Sequence, residues 1–313
     1  MKSSIEYTWF KLFKTEGVGP KTINNIYQTL KNNSEINENK ILEYLSKKNK
    51  LLANWNKIND ELCFQEYQKI INQNINIINL DSKDYPSILK INLKNSAPPL
   101  LFFKGNKKLL NAKNISIVGS RNVSEEGINF TKKITKELTL SGLNIVSGYA
   151  KGVDTISHLS ALENDGTTIF VLSYGINDFK KKKEFSDLKL NDNSLILSQF
   201  LPEANWSASN AMIRNKTIVG LSNAVLIIQA GPEKDEKGNM SGSFNSGKVT
   251  LENNIPLFVL KPSIVQDARG NIDLINKGGI EINSENAIEK IKEILSSKKI
   301  SKYTEEQSAF DFD

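Results

Sequence analysis

The chain has 313 residues, of which 39% are hydrophobic, enough to build one large domain and a smaller one around real cores. Its 41 Lys and Arg residues outnumber its 35 Asp and Glu residues, and the formal net charge of +6 permits a polyanionic partner without requiring one. The single cysteine, Cys63, and the single histidine, His158, exclude an internal disulfide framework, a cysteine-based zinc site and a histidine-rich metal site.

Residues 1–75 are predicted to form a small helical domain. Apolar residues recur at helical spacing on both sides of Gly17-Val18-Gly19-Pro20, which predicts two helices joined by a tight glycine turn. Two further helices are predicted at residues 40–59 and 60–73. The turn, with Gly17, Gly19 and Lys21, looks like a helix-hairpin-helix turn, whose amides can contact a DNA phosphate. A tight connection between packing helices is the alternative, and both interpretations stay open.

From Ile75 the pattern changes to short apolar runs that alternate with helical segments. This alternation predicts an α/β domain at residues 76–283 with a doubly wound, mostly parallel sheet. The predicted strands are residues 76–80, 100–103, 115–118, 143–146, 169–172, 194–197, 224–228 and 257–260. The predicted helices are residues 126–141, 154–164, 211–221 and 246–253. A last segment, 284–313, is predicted to contain a helix and a flexible tail.

Two strand-to-helix turns are predicted to hold phosphate. Gly119-Ser120-Arg121 offers a residue without a Cβ, a hydroxyl and a guanidinium directly after one strand, and Ser147-Gly148 with Lys151 follows the next. In a parallel sheet the ligand crevice lies at the carboxyl ends of the strands, where helix N-terminal amides favour an anion. For the first turn, a plain connection with a solvated Arg121 is the alternative.

Two residues beside the second turn are interpreted as structural. Asp154 is expected to cap the following helix rather than act as a catalytic acid, because Asp is a preferred capping residue. His158 is expected to be a buried packing residue.

Three further segments are candidates for binding an anion. Arg214-Asn215-Lys216 is placed at the head of a predicted helix, where two cations oppose the dipole and suggest a bound anion, although a solvated helix face is the alternative. Ser241-Gly242-Ser243 is a third turn of small residues before a helix. Lys180-Lys181-Lys182-Lys183, between Phe179 and Phe185, could follow a nucleic-acid backbone, although such a run is usually a solvated loop.

These segments together resemble the DNA-processing protein A (DprA, also called Smf) family over about residues 80–280. The matching elements occur in the family's order: Tyr85-Pro86, Pro98 to Asn106, Ile117 to Arg121, Ser147 to Asp154, Arg214-Asn215-Lys216, Ser241-Gly242-Ser243 and Gly270-Asn271. The resemblance implies an extended Rossmann-like fold, a grip on the phosphates of single-stranded DNA, a homodimer and delivery of the strand to the RecA recombinase, as in natural transformation. It implies no catalytic residue, no cofactor and no metal.

The resemblance also implies which residues contact the DNA phosphates. They are Gly119, Ser120, Arg121, Ser147, Gly148, Lys151, Arg214, Asn215, Lys216, Ser241 and Gly242. Where the family usually has acidic residues, this chain has Gln199 and Gln229, which should raise the positive potential of the pocket if they line it. No secretion signal and no apolar run near the ~18 residues of a membrane span are present, so we expect a cytoplasmic protein without a membrane partner.

Two other functions are weighed against this one. Rossmann-like enzymes that release the base from nucleoside monophosphates are similar in fold, but their Pro-Gly-Gly-x-Gly-Thr turn and catalytic glutamate are missing, and Gln229 is no general base. A sensor of nucleotide-derived signals would need a fused effector domain, and none is visible. The acidic and aromatic end, Phe310-Asp311-Phe312-Asp313, could dock a partner, although a disordered tail is the preferred interpretation.

Overall fold

The computed structural model describes residues 4–32, 35–190 and 192–297. The helices in these ranges are α1 (Ile5–Lys14), α2 (Pro20–Leu30), α3 (Glu38–Ser46), α4 (Asn49–Lys57), α5 (Asp60–Asn72), α6 (Ser87–Leu93), α7 (Glu125–Leu140), α8 (Val153–Leu162), α9 (Ala208–Gly220), α10 (Gly242–Glu252), α11 (Arg269–Asn276) and α12 (Ala287–Ser296). The strands are β1 (Asn76–Asn79), β2 (Leu100–Gly105), β3 (Asn114–Val118), β4 (Asn144–Ser147), β5 (Thr168–Leu172), β6 (Ser194–Ser198), β7 (Ala224–Ile227), β8 (Leu257–Leu260) and β9 (Ile280–Ile282).

The chain forms two compact units, and each is assembled from two separate stretches of sequence. The first unit comprises Met1–Ala112 and Thr168–Leu221, and the second comprises Lys113–Thr167 and Ser222–Asp313. The helices α1 to α5 therefore belong to the same unit as β1, β2, β5 and β6. The predicted domain boundaries near residues 75 and 283 stay predictions.

In the first unit the strands lie in the order β1-β2-β6-β5. The β1/β2 and β2/β6 pairs are antiparallel, and β5 runs parallel to β6. Buried side chains of α1, including Trp9, Phe10 and Leu12, form part of its core.

The prediction of a single helix at residues 40–59 is wrong, because the structure has two helices there, α3 and α4. Leu45 in α3 and Trp55 in α4 are both buried, and the chain breaks between them because Lys48 is not helical, with φ −136° and ψ 77°, and its amide donates to the Leu45 carbonyl at 2.8 Å in a tighter last turn. The break at Lys47 and Lys48 lets each helix turn its own apolar face inward.

In the second unit the strands lie in the order β4-β3-β7-β8-β9, and all four pairs are parallel. Ile115, Ile117, Ile145, Leu226 and Phe258 form the centre of a core that α7, α8 and α12 help to cover. The chain leaves β3 on one side to form β4 and later returns to its other side to form β7. This reversal makes the carboxyl end of β3 a topological switch point, the place where such sheets hold ligands.

The predicted α/β class and the mostly parallel arrangement of the strands are confirmed. Two helices of the α/β region begin three or more residues earlier than predicted, α9 at Ala208 and α10 at Gly242, because serine hydroxyls cap them. Ser207 Oγ accepts a hydrogen bond from the Asn210 amide at 3.0 Å, and Ser241 Oγ accepts one from the Phe244 amide at 3.3 Å.

The helix predicted at the start of the last segment is confirmed as α12. The tail, with Phe310-Asp311-Phe312-Asp313, lies outside the described residues. Within the described ranges, no helix is both long and apolar enough to cross a membrane.

Candidate phosphate-binding site

The turn Gly119-Ser120-Arg121 lies at the switch point, directly after β3. A Cβ atom on Gly119 would lie 2.5 Å from Cγ2 of Val153, so a glycine is needed for the turn to pack against the start of α8. Ser120 Oγ accepts a hydrogen bond from the Asn122 amide at 3.0 Å, which fixes the turn. Arg121 is exposed, and its guanidinium is therefore available to an anion in solution.

The turn after β4 lies against the turn after β3. The buried Ser147 hydroxyl donates to the Ile117 carbonyl at 2.7 Å, and the Val153 amide donates to the Ser120 carbonyl at 3.3 Å. Gly152 has a φ of 73°, and a Cβ atom there would overlap the Ser120 carbonyl oxygen. The structure thus brings the residues predicted at 119–121 and 147–151 together, with exposed Lys151 on the second turn.

The second turn carries backbone strain. Tyr149 adopts a φ of 58°, a left-handed conformation that costs a residue other than glycine about 1–3 kcal/mol. Its ring is buried and approaches the ring of His158 edge-on, with centroids 6.3 Å apart. His158 is itself fully buried, as its interpretation as a packing residue requires.

The prediction that Asp154 caps α8 is wrong, because the N-cap of α8 is Gly152. Asp154 is the second residue of the helix, and its carboxylate accepts a hydrogen bond from the Ala150 amide at 3.2 Å. The hydrogen bond from Ala150 stabilises the loop that follows β4. The carboxylate itself lies in the first turn of α8, where the helix dipole favours a negative charge.

Ser241 and Gly242 lie at the start of α10, which follows β7 along the chain. The predicted turn of small residues before a helix lies within the start of the helix itself, since Ser241 is the N-cap and Gly242 and Ser243 belong to the first helical turn, and anion binding here stays a prediction. The neighbouring cation Lys248 pairs with Glu233 at 2.8 Å. Their hydrogen bond lowers the pKa of the Glu233 carboxyl and raises the pKa of Lys248, so the pair adds no net charge to this region.

Two buried amide side chains support the strand ends of the second unit, a role that the sequence analysis missed. Gln229 Oε1 accepts a hydrogen bond from the Ser124 amide at 3.0 Å, at the N-cap of α7. Asn271 donates to the Ile228 and Leu260 carbonyls at 2.9 and 2.8 Å, and its Oδ1 accepts from the Ala230 amide at 2.8 Å. The pair Gly270-Asn271 was noticed in the sequence, but no local pattern indicates which strands such an amide joins.

Arg214-Asn215-Lys216 lies in the first unit, in the middle of α9 and not at its head as predicted. The argument from the helix dipole therefore does not hold for these residues. Arg214 is 5% exposed, and its Nη1 donates to the Val171 carbonyl in β5 at 3.3 Å. Asn215 is also buried, whereas Lys216 is exposed.

Gln199 also lies in the first unit and is held by α9. Its Oε1 accepts a hydrogen bond from the hydroxyl of Thr217. The amide thus helps to position the helix that carries Lys216.

The lysine run 180–183 follows β5 in the first unit. Its flanking aromatic rings pack against Phe170, with centroid distances of 6.2 Å for Phe179 and 5.7 Å for Phe185. Lys181 Nζ donates to the Ser186 and Leu188 carbonyls at 2.8 and 3.3 Å, so it stabilises its own loop. A DNA contact by this run stays a prediction.

The amino-terminal glycine turn packs on α4. Gly17 has a φ of 78° and lies near Leu51, and Asn54 Nδ2 donates to the Glu16 carbonyl at 3.0 Å. Gly19 and Lys21 are exposed at the start of α2. Both interpretations of this turn stay open.

Comparison with known proteins identifies relatives of both the sequence and the fold. The chain is 30% identical to protein Smf of Synechocystis over 92% of its own length, and 34% identical to DprA of Bacillus subtilis over 71%; each match covers 73% of the relative. The structure is similar to that of DprA from Streptococcus pneumoniae, with a TM-score of 0.75, 28% identity and coverage of 89% of this chain and 95% of that one.

A second similar structure is that of DNA processing protein A from Helicobacter pylori. That structure is described as giving insight into the protein's single-stranded DNA binding mode. Its TM-score is 0.57, its identity is 27%, and the match covers 70% of this chain and 96% of that one. The sequence model of the family described as DNA recombination-mediator protein A matches residues 76–295. The chain therefore belongs to the DNA recombination-mediator protein A family.

Proposed function

We propose that this protein is a non-enzymatic mediator of recombination that binds single-stranded DNA by its phosphates. One observation carries the proposal: the turns after β3 and β4 pack against each other at a switch point, and each presents an exposed cation, Arg121 or Lys151. An exposed guanidinium and a lysine ammonium above closely packed turns suit the repeated negative charges of a DNA backbone. The single-stranded DNA binding described for the Helicobacter pylori relative supports the choice of ligand.

The chemistry of the site favours binding over catalysis. The Asp154 carboxylate is engaged by the Ala150 amide, and the Gln229 amide oxygen already accepts from the Ser124 amide. Neither group is placed as a general base, since one is committed to a turn and the other has no basic form. Contacts through phosphates carry no sequence information, so we expect the protein to bind strands of different sequence with similar affinity.

We further propose that the protein acts in the cytoplasm as a homodimer and helps to load RecA on the bound strand, as in natural transformation. The family membership supports this part. Sedimentation of the purified protein tests the dimer, and the rate at which RecA forms filaments on single-stranded DNA, with and without the protein, tests the loading step.

The central experiment compares the affinity for a 30-nucleotide oligo-dT and for a duplex of the same length between 50 and 500 mM salt. For single strands, log K falls with log salt at about −0.7 per neutralised phosphate, so two to four contacts predict a loss of roughly 25- to 600-fold over this range. Tighter binding to the single strand together with this slope supports the proposal, whereas an affinity independent of salt contradicts it. Release of free base from nucleoside monophosphates would instead support the enzymatic alternative.

A further inference from the structure

Trp206 is exposed although every other aromatic side chain of the described residues is buried or half-buried. Its exposed fraction is 55%, against 0% for Trp9 and 3% for Trp55. An indole ring left in water gives up the burial that usually makes tryptophan stabilising, and exposed aromatic rings are a common means of holding a ligand.

The backbone on both sides of Trp206 is fixed. The Ala204 carbonyl accepts from the Gly175 amide at 2.7 Å, and the Asn205 carbonyl accepts from Asn210 Nδ2 at 3.1 Å. Ser207 follows as the N-cap of α9. The ring therefore projects from an ordered loop, and binding to it would cost little conformational entropy.

The loop lies at the carboxyl end of β6, beside the parallel strand β5, where a sheet of this kind binds ligands. Its one carboxylate, Glu203, is paired with Lys69 at 3.2 Å, so the loop does not present an uncompensated negative charge to a phosphate. Residues 209, 213 and 216, spaced four and three residues apart, form one exposed stripe along α9, and Trp206 directly precedes Ser207, the N-cap of this helix. Lys216 lies at the other end of this stripe, roughly 10 Å along the helix axis from residue 209.

We propose that Trp206 is a platform on which an unpaired base of single-stranded DNA stacks, while Lys216 contacts a phosphate of the same strand. This inference rests on the proposed function and adds to it a subsite for the base, made by a residue outside the predicted phosphate contacts. A stacked base needs only its flat face, so the subsite would exclude paired bases without selecting a sequence.

The test uses Trp206→Ala and Trp206→Phe in the full chain, with Leu140→Ala, another exposed apolar residue, as the control. Each protein is titrated with oligo-dT and with an abasic oligonucleotide of the same length. We expect Trp206→Ala to weaken oligo-dT binding roughly 5- to 150-fold, Trp206→Phe to weaken it less, and neither to change binding of the abasic strand. The salt slope should stay unchanged, because no phosphate contact is removed.

Fluorescence gives an independent measurement. Because Trp9 and Trp55 are buried, oligo-dT should quench the emission of Trp206 in the wild type, and the quenching should disappear in Trp206→Phe. The proposal is overturned if Trp206→Ala binds oligo-dT like the wild type, or if it loses both oligonucleotides equally. A variant that binds DNA normally but no longer interacts with RecA would assign Trp206 to a protein contact and also overturn it.

A wild type that binds oligo-dT and the abasic strand equally well would contradict the base subsite and leave the phosphate grip intact. A wild type that binds neither would contradict the proposed function and the subsite together. Urea unfolding of Trp206→Ala should match the wild type, because surface substitutions usually change the free energy of unfolding by less than about 0.5 kcal/mol.

Discussion

Arg121 is the residue at which exposure, charge and position coincide most clearly. It follows β3 at the switch point of the second unit and extends from a turn that is held by Ser120 and packed against the turn after β4. The planar fork of a guanidinium is preorganised for paired hydrogen bonds to a phosphate, so less side-chain freedom is lost per bond.

We predict that Arg121→Ala weakens binding of single-stranded DNA by roughly 10- to 150-fold, because hydrogen bonds to charged groups contribute about 1.5–3 kcal/mol. The slope of log K against log salt should become shallower by about 0.7. Lys136→Ala is the matched control, since it removes one exposed cation of the same unit from the other end of α7. Fluorescence anisotropy with labelled oligo-dT measures both quantities; an equal loss in the two variants would refute a specific role for Arg121.

At the scale of secondary-structure elements, α9 gives different environments to two cations that are two residues apart in sequence. Arg214 points into the unit and bonds a carbonyl of β5, while Lys216 is exposed. The first anchors the helix to the sheet, and the second is left to meet a ligand.

Arg214→Ala is therefore predicted to lower the free energy of unfolding by about 1–3 kcal/mol, the usual cost of leaving a buried partner unsatisfied. Lys216→Ala should change it by less than about 0.5 kcal/mol and still weaken DNA binding. Urea denaturation followed by circular dichroism provides the comparison. Equal stability of the two variants would show that the bond to β5 does not anchor the helix.

The close approach of the turns after β3 and β4 can be tested with two glycines. Gly152 and Gly142 have positive φ values of 73° and 76°, so alanine is strained at both positions, and the ψ of −130° at Gly152 lies outside the left-handed helical region and adds to the strain there. Only at Gly152 would the new Cβ overlap a carbonyl, that of Ser120, whereas no atom lies within 4 Å at Gly142.

We predict that Gly142→Ala lowers the free energy of unfolding by about 1 kcal/mol and Gly152→Ala by about 2–4 kcal/mol, the excess reflecting both overpacking and the backbone strain at Gly152. Only Gly152→Ala should also reduce affinity for oligo-dT, since it moves the two turns apart. Denaturation midpoints and anisotropy titrations of both variants measure these effects. Similar losses in both would mean that the turns do not depend on their contact.

For the molecule as a whole, the sequence predicts the class of fold because β3 and β4 are short apolar runs followed at once by small residues. The starts of α9 and α10 were missed because their caps, Ser207 and Ser241, lie before the apolar pattern of each helix begins. The burial of Arg214 and the exposure of Trp206 could not be predicted, since each depends on loops and strands distant in sequence. No local signal indicates that residues 1–112 and 168–221 form one unit.

The pairing of β2 with β6 has a consequence for synthesis on the ribosome. β2 presents the buried run Leu100, Leu101, Phe102 and Phe103, and one of its edges is completed only by β6, whose last residue follows the end of β2 by about 90 residues. At about 5–20 residues per second, the nascent chain exposes this apolar strand for roughly 5–20 seconds before its partner is made. The first unit should therefore be a binding target for chaperones during translation, and slower translation of residues 113–193 should increase its aggregation.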